Sequence, residues 1–310
     1  MKVNILLSTY NGERFLTQQI ESILAQSFRD WRLLIRDDGS TDRTVEIIRE
    51  FAELDSRILF INNENIINLG VIQSFFVLTK FDQADYYFYC DQDDIWLPDK
   101  LTTILNAASE AQLHQPAMYY TDLKVVDEQL QILSDSMIAT QSHHANTTLI
   151  EELAENSVTG CTSMINDELA QLWTNTEQII MHDWYLALLA TAVGQLVYID
   201  VPTILYRQHS ENVLGARTFK KRMSNWLNQP VNRYWKLIHQ AQKQAEKIAN
   251  ENQVQMTSSQ LEVLNCFVDI DQQSISERVR RISRYRYRKN RLFHTMILRA
   301  LLITNWFNPR

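Results

Sequence analysis

Four acidic or amide residues, Asp91-Gln92-Asp93-Asp94, follow directly on a run of aromatic strand formers, Tyr86-Tyr87-Phe88-Tyr89-Cys90. A buried strand that ends this way delivers clustered carboxylates to its C-terminal edge. Desolvated like charges repel, so the cluster is costly unless a cation neutralises it. A divalent metal carrying a diphosphate suits it, because hard cations choose oxygen ligands and share them with phosphates. A lone acidic turn is usually no more than solvated. A second carboxylate pair, Asp37-Asp38, ends an earlier strand pattern in the same way, and the repetition favours a site.

The elements that must position these residues alternate through the first 125 residues. Strand patterns at 3–8, 31–36, 58–61, 86–90 and 118–123 alternate with helical spacing at 15–25, 44–51, 71–78 and 97–111. Ser40 or Thr41 is placed to cap the second helix, and Pro98 falls in the first turn of the fourth. The alternation predicts parallel strands joined by crossover helices, an open α/β sheet whose ligands sit beyond the carboxyl ends of its strands. Polar residues collect at those ends, at 8–11, 37–40 and 91–94. From about 125 to 215 the pattern loosens. It holds a hairpin at 124–133, a polar stretch with His143-His144 to which no role is given, the segment Gly160-Cys161-Thr162, a helix at 184–192, and two strand-like runs ending in Tyr206-Arg207-Gln208-His209. From 217 onward the pattern is helical, which divides the chain into a catalytic unit, 1–216, and a helical C-terminal region, 217–310.

The 310 residues are 45% apolar and 22% charged, an ordinary globular composition. The three cysteines are widely separated and odd in number. They suggest neither a disulfide framework nor a metal knuckle and favour a reducing compartment. No signal peptide and no apolar stretch of about 18 residues is seen, so the expected location is cytoplasmic. The net charge of −7 hides an asymmetry, since residues 278–310 hold nine Arg and one Lys with no acid. Residues 278–291 are basic with Tyr285 and Tyr287 interleaved, and Leu292, Phe293, Met296, Ile297, Leu301, Leu302 and Trp306 follow at helical spacing. An amphipathic helix beside a polybasic segment predicts peripheral association with the inner face of the cell membrane. A helix packed on the catalytic unit and a homo-oligomer interface compete with that reading. Nucleic acid is disfavoured, because the rest of the chain is acidic and has no binding module.

Six pieces in order carry a resemblance: Ser8-Thr9-Tyr10-Asn11-Gly12, Asp37-Asp38-Gly39-Ser40-Thr41-Asp42, Asn68-Leu69-Gly70, Asp91-Gln92-Asp93-Asp94, His182-Asp183-Trp184 and Arg207-Gln208-His209. Over residues 3–213 the chain resembles an inverting nucleotide-sugar glycosyltransferase of family 2. That family has the GT-A fold, a Rossmann-like mixed α/β sheet flanked by helices. More narrowly, Asp91 to Trp96 and Tyr206 to His209, with Asn212, Val213 and Gly215, are similar to bacterial rhamnosyltransferases that build rhamnose-rich cell-wall polysaccharides from dTDP-rhamnose.

The resemblance implies roles residue by residue. Thr9, Tyr10 and Asn11 lie along the nucleotide, with Asp38 and Gly39 on the base or ribose and Asp37 holding the loop. Asn68 approaches the base or diphosphate, though an N-cap would explain it equally. Asp91 contacts ribose or sugar. Asp93, with Asp94 able to take its place, ligates Mn²⁺ or Mg²⁺. His209 completes the metal site, and imidazole suits Mn²⁺ better than Mg²⁺. Arg207 offsets diphosphate charge. Asp183 is the general base of a single in-line displacement, with His182 a minor rival; an N-cap of the following helix is compatible with that role. Gly160, Cys161 and Thr162 form the acceptor-side wall, with Cys161 a packing residue rather than a nucleophile. Trp96 and Trp184 face the acceptor, unless Trp96 is core. The acceptor implied is a polyprenyl-linked glycan.

The leading expectation is transfer of L-rhamnose from a dTDP donor. A UDP-hexose transferase of the same fold is the main alternative. A nucleotidyltransferase would want a Gly-rich basic phosphate loop after the first strand, which residues 8–12 lack. A non-catalytic glycan-binding subunit is disfavoured by intact Asp93 and Asp183.

Overall fold

Residues 1–111, 115–209 and 231–309 are described by a computed structural model. The strands β1 (Val3–Thr9), β2 (Arg32–Asp37), β3 (Ile58–Phe60) and β4 (Tyr86–Cys90) are short and apolar, as strands covered on both faces must be. They pair in parallel in the order β3-β2-β1-β4. The register sets Thr9 beside Asp37 and Leu7 beside Cys90, so three strands open their polar ends on one edge. Beyond β4 the sheet turns mixed. β8 (Ser163–Asn166) runs antiparallel to β4 and to β6 (Ala117–Val126). β9 (Gln195–Arg207) is parallel to β6 and carries β5 (Ile95–Trp96) antiparallel at the edge, and β7 (Ile132–Ser134) closes a hairpin on β6.

Alternate residues of one strand feed two cores. Ile5 and Leu7 pack against α1 (Leu16–Leu24), α2 (Thr44–Leu54) and α4 (Lys100–Ala111). Leu6 packs on the other face, with α3 (Val71–Phe81), α5 (Leu149–Ala154), α6 (Asp167–Leu172) and α7 (His182–Val193). The C-terminal helices α8 (Val231–Glu251), α9 (Ser258–Val268), α10 (Ile275–Tyr285) and α11 (Leu292–Thr304) join this second core. Trp235, Ile238, Ala245 and Ile248 of α8, Phe267 of α9 and Leu302 of α11 are buried in the cluster that holds α7. The expected division at 216/217, and Asn212, Val213 and Gly215, lie outside the described residues.

The departures from expectation have local causes. α4 begins at Lys100 rather than residue 97, because Leu97 still donates to Thr203 in the β5–β9 pairing and Pro98 keeps its predecessor extended. Pro98 therefore precedes the helix. The two strand-like runs of 195–207 are one strand, irregular where Thr121 pairs Ile199 and Asp122 pairs Pro202. Pro202 lacks a donor and sits where the ladder breaks. Neither Ser40 nor Thr41 caps α2. Asp42 accepts from the Thr44 amide at 3.0 Å, while the Ser40 hydroxyl binds Asp37 and the Thr41 amide binds Asn11.

Candidate active site

The loop after β1 is pinned from three sides. The Asn11 amide donates to the Ser40 hydroxyl at 2.9 Å, and its side-chain oxygen accepts from the Thr41 amide at 2.8 Å. Gln92 reaches across from the acidic turn and pairs with both backbone groups of Tyr10, at 2.8 and 2.9 Å, as a neighbouring strand would. The Tyr10 ring is left 52% exposed at the mouth of this loop, open to stacking on a flat partner.

The second carboxylate pair works inward. Asp37 accepts from the Thr9 hydroxyl and from the amides of Gly39 and Ser40. Gly39 sits at φ 89°, which only glycine adopts without strain. Asp38 forms a buried ion pair with Arg36 at 2.6 Å and accepts from the Leu69 and Gly70 amides and the Ser74 hydroxyl. Burial pushes its pKa up, but the Leu69 amide, Arg36, Ser74 and the Gly70 amide together hold it below the ordinary value. This corrects two expectations. Thr9 and Asp38 are buried and engaged by protein partners, so residues expected only along the nucleotide also build the loop itself, Asp38 together with Asp37. Asn68 is not an N-cap either. Gly70 holds that place at φ 80°, and the Asn68 side-chain NH₂ donates to the Asp38 carbonyl from an exposed position.

The acidic turn splits into an outer and an inner half. Asp93 meets His209 at 2.7 Å, with side chains 15% and 5% exposed. Asp94 points inward, is fully buried, and accepts from the Arg207 amide at 3.2 Å. Burial, then the Asp93 and Asp91 charges, push Asp94 well above the carboxylate range. Burial, then Asp93 and Asp183, push Asp91 up to about 7. Asp91, Asp94 and the Cys161 thiol bring ligand atoms within 4.8 Å of one another, and Asp94 Oδ2 is buried without a hydrogen-bond partner among the described residues. Carboxylates this poorly compensated fit a cation. The outer donors, Asp93 and His209 with Asp91 beside them, have the hard and borderline chemistry of a Mn²⁺ or Mg²⁺ site. The inner set includes a soft thiol and does not.

Arg207 is a further correction. Its guanidinium donates to the Asp93 carbonyl at 2.9 Å, the Glu128 carbonyl at 2.8 Å and Gln18 at 2.7 Å, and lies over Phe15 at 4.5 Å. At 2% exposure it braces the acidic turn from behind.

Asp183 stands in the first turn of α7. Met181 is the N-cap, so Asp183 is not. The residue is partly exposed, and its carboxyl accepts from the Trp184 amide at 2.6 Å. Burial pushes its pKa up to about 6, against the lowering effect of the Trp184 and Gly160 amides. Its charge is felt at Asp91 and helps to raise that carboxyl. His182 does not compete as base. It is buried against Phe75 and Tyr89, and burial drives its pKa down to about 3.

The Gly160–Thr162 segment is a buried 3₁₀ turn. A side chain at Gly160 would come within 2.9 Å of His182 Nε2. Burial and the nearby Asp94 and Asp91 charges hold the Cys161 thiol protonated, which fits packing and not nucleophilic attack. Trp184 is partly exposed, with its indole N–H on the Glu152 carbonyl at 2.7 Å. Trp96, expected at the acceptor, is 2% exposed and belongs to the core, because the β5–β9 pairing turns it under the sheet.

The structure thus brings Tyr10, Asn11, Gly39, Asn68, Asp91, Asp93, His209, Asp183 and Trp184 to the carboxyl edge of the sheet and withdraws Thr9, Asp38, Trp96 and Arg207 into support. Three residues at the site escaped the sequence reading, Arg36, Lys100 and Glu152, and Gln92 was read only as part of the acidic turn and not as the partner of Tyr10. Arg36 left a signal, a charge inside an apolar strand. The others left none, since each looks like an ordinary polar residue.

The profile of the family described as Glycosyl transferase family 2 matches residues 4–171. Among curated proteins, the chain is 29% identical over 269 residues to the dTDP-rhamnosyl transferase RfbG of Shigella flexneri, covering 79% of this chain and 83% of that one. It is 24% identical over 225 residues to the UDP-Glc:alpha-D-GlcNAc-diphosphoundecaprenol beta-1,3-glucosyltransferase WfgD of Escherichia coli, covering 72% and 83%. Among solved structures, TarS 1-349 of S. aureus in complex with UDP superposes with a TM-score of 0.54 at 15% identity, over 92% of this chain and 89% of that chain. With this sheet and this family match, the chain is a glycosyltransferase of the GT-A fold and belongs to glycosyl transferase family 2.

Proposed function

We propose that the protein transfers L-rhamnose from dTDP-β-L-rhamnose to a polyprenyl-linked cell-wall glycan, with inversion at the anomeric carbon. The observation that carries the donor is the likeness to the S. flexneri protein over most of both chains. The E. coli relative supports a second reading with the same chemistry and a UDP-hexose donor.

In this reading Tyr10, Asn11, Gly39 and Asn68 border the nucleotide and Asp91 the ribose or sugar, while Asp93 and His209 hold Mn²⁺ or Mg²⁺. A bound divalent ion would carry the charge that grows on the departing nucleoside diphosphate. Asp183 takes the proton of the acceptor hydroxyl as its oxygen bonds the anomeric carbon and the bond to the diphosphate oxygen breaks. Trp184 and the Gly160–Thr162 turn border the acceptor.

Membrane contact rests on α11. Its inner face is buried, while Leu292, Phe293 and Met296 are exposed, as are Trp306 and Phe307 beyond it. The basic segment contributes less than its composition suggests. Five of its eight cations, Arg280, Arg281, Arg284, Arg288 and Lys289, pair with acids of the protein. Arg286 and Arg291 have no ion pair among the described residues and flank the apolar stripe.

The test is a donor screen with dTDP-rhamnose, UDP-glucose, UDP-galactose and UDP-N-acetylglucosamine, each with Mn²⁺, Mg²⁺ or EDTA and a lipid-linked acceptor. Metal-dependent turnover of dTDP-rhamnose alone is expected, and Asp183→Asn should lower kcat by about 10²–10⁴-fold with donor affinity kept. Turnover of a UDP-sugar instead would overturn the rhamnose assignment. Full activity of Asp183→Asn would overturn the base.

A further inference from the structure

Lys100 is the first residue of α4 and is fully buried. Its ammonium donates to the Cys161 carbonyl and lies over the Trp96 ring at 4.0 Å. A buried lysine beside an acidic turn would ordinarily be read as a counter-ion. Among the described residues, however, no carboxylate oxygen reaches ion-pair distance of it. Its direct bond is to a peptide carbonyl in the turn on the acceptor side. That turn is in close register with the base. The Gly160 amide faces the Asp183 carboxyl. A side chain on Gly160 would meet His182 Nε2 at 2.9 Å and Asp183 Cβ at 3.7 Å. The turn therefore packs directly against the start of α7. At its other end Lys100 is anchored by the segment that follows the acidic turn, where Gln26 grips the Leu97 carbonyl at 2.8 Å and the Leu101 amide at 3.1 Å.

We propose that Lys100 is a positioning residue, a latch from the start of α4, just beyond the acidic turn, to the Gly160–Thr162 turn, which sets the spacing between the leaving-group side and the base. The proposal builds on the reading of Asp183 as base. Its structural half, that Lys100 holds the turn, stands independently of the donor. An error of about 1 Å between reacting groups can lower a rate by about 10²-fold, and a latch of this kind acts on spacing rather than on affinity.

The experiment compares wild type with Lys100→Met and Lys100→Arg. Hydrogen exchange of residues 159–163 is read alongside kcat, donor KM and binding of dTDP with Mn²⁺. For folded Lys100→Met we expect exchange in that turn to quicken at least tenfold. kcat should fall by about 10²-fold, with donor KM and dTDP binding within about threefold of wild type. Lys100→Arg, which keeps a charged donor, should recover part of both losses. Unchanged exchange in Lys100→Met overturns the proposal, as does a loss that falls on dTDP binding and KM rather than kcat. Should Lys100→Met not fold, Lys100→Gln, polar but too short to span to Cys161, carries the same readouts. If wild type turns over no nucleotide sugar, the proposed function fails, while the exchange comparison still decides whether the latch exists.

Discussion

A base that takes a proton from a sugar hydroxyl works best with a pKa near the working pH. Asp183 approaches that condition through burial, which lifts it to about 6. The sign follows directly. Below about pH 6 the carboxyl is protonated and cannot accept, so kcat/KM should fall about tenfold per pH unit there and level off above pH 7. A profile flat from pH 5 to pH 8 would remove Asp183 from the role. The acidic turn, the Asp37-Asp38 pair and Asp183 were legible in the sequence, because strand ends and family spacing locate them. What each side chain touches was not. Asp38 and Arg207 look like ligand contacts until Arg36, Glu128 and Gln18 are placed around them. Lys100 looks like a surface lysine opening a helix until the turn from residues 160–162, some sixty positions away, closes over it.

Among the elements, the parallel half of the sheet was legible and the mixed half was not. β1 to β4 follow one another through crossover helices, and apolar runs with turn residues suffice to mark them. β8, β6 and β9 are joined by pairings across long loops, and no local period specifies which edge each takes. The junction of α7 and β9 shows how tightly that half is fitted. Gly194 ends α7, and a Cβ there would lie 1.8 Å from the Pro116 carbonyl oxygen, which already accepts from Gln195. That oxygen belongs to backbone and cannot swing aside. Gly194→Ala should therefore lower stability by roughly 1–3 kcal/mol or more, read from denaturant midpoints with the slope unchanged. A midpoint equal to wild type would mean that the junction yields.

At the scale of the whole molecule, charge and apolar surface are distributed differently from what composition suggests. The run of basic residues from 278 to 291 reads as a free polycation, yet it mostly neutralises Glu151, Glu155, Glu262, Asp269 and Glu277. Such pairing was invisible in sequence because two of the five acids, Glu151 and Glu155, lie more than 120 residues before the basic segment and must be brought to it by folding. No helix among the described residues is long and apolar enough to cross a membrane. Attachment would therefore depend on the outer stripe of α11. Wild type should sediment with vesicles containing anionic lipid, and Leu292→Ser with Met296→Ser should release most of it while leaving turnover of a water-soluble acceptor intact. Equal sedimentation of the two proteins would exclude the stripe. The helices that present this stripe share their core with α7, the helix of Asp183. Whatever surface seats them also fixes the altitude of the base above it. Under the proposed function, the reach of a lipid-tethered acceptor, rather than a swinging arm of the protein, would have to close the remaining gap, and acceptors would be sorted by length as well as by chemistry.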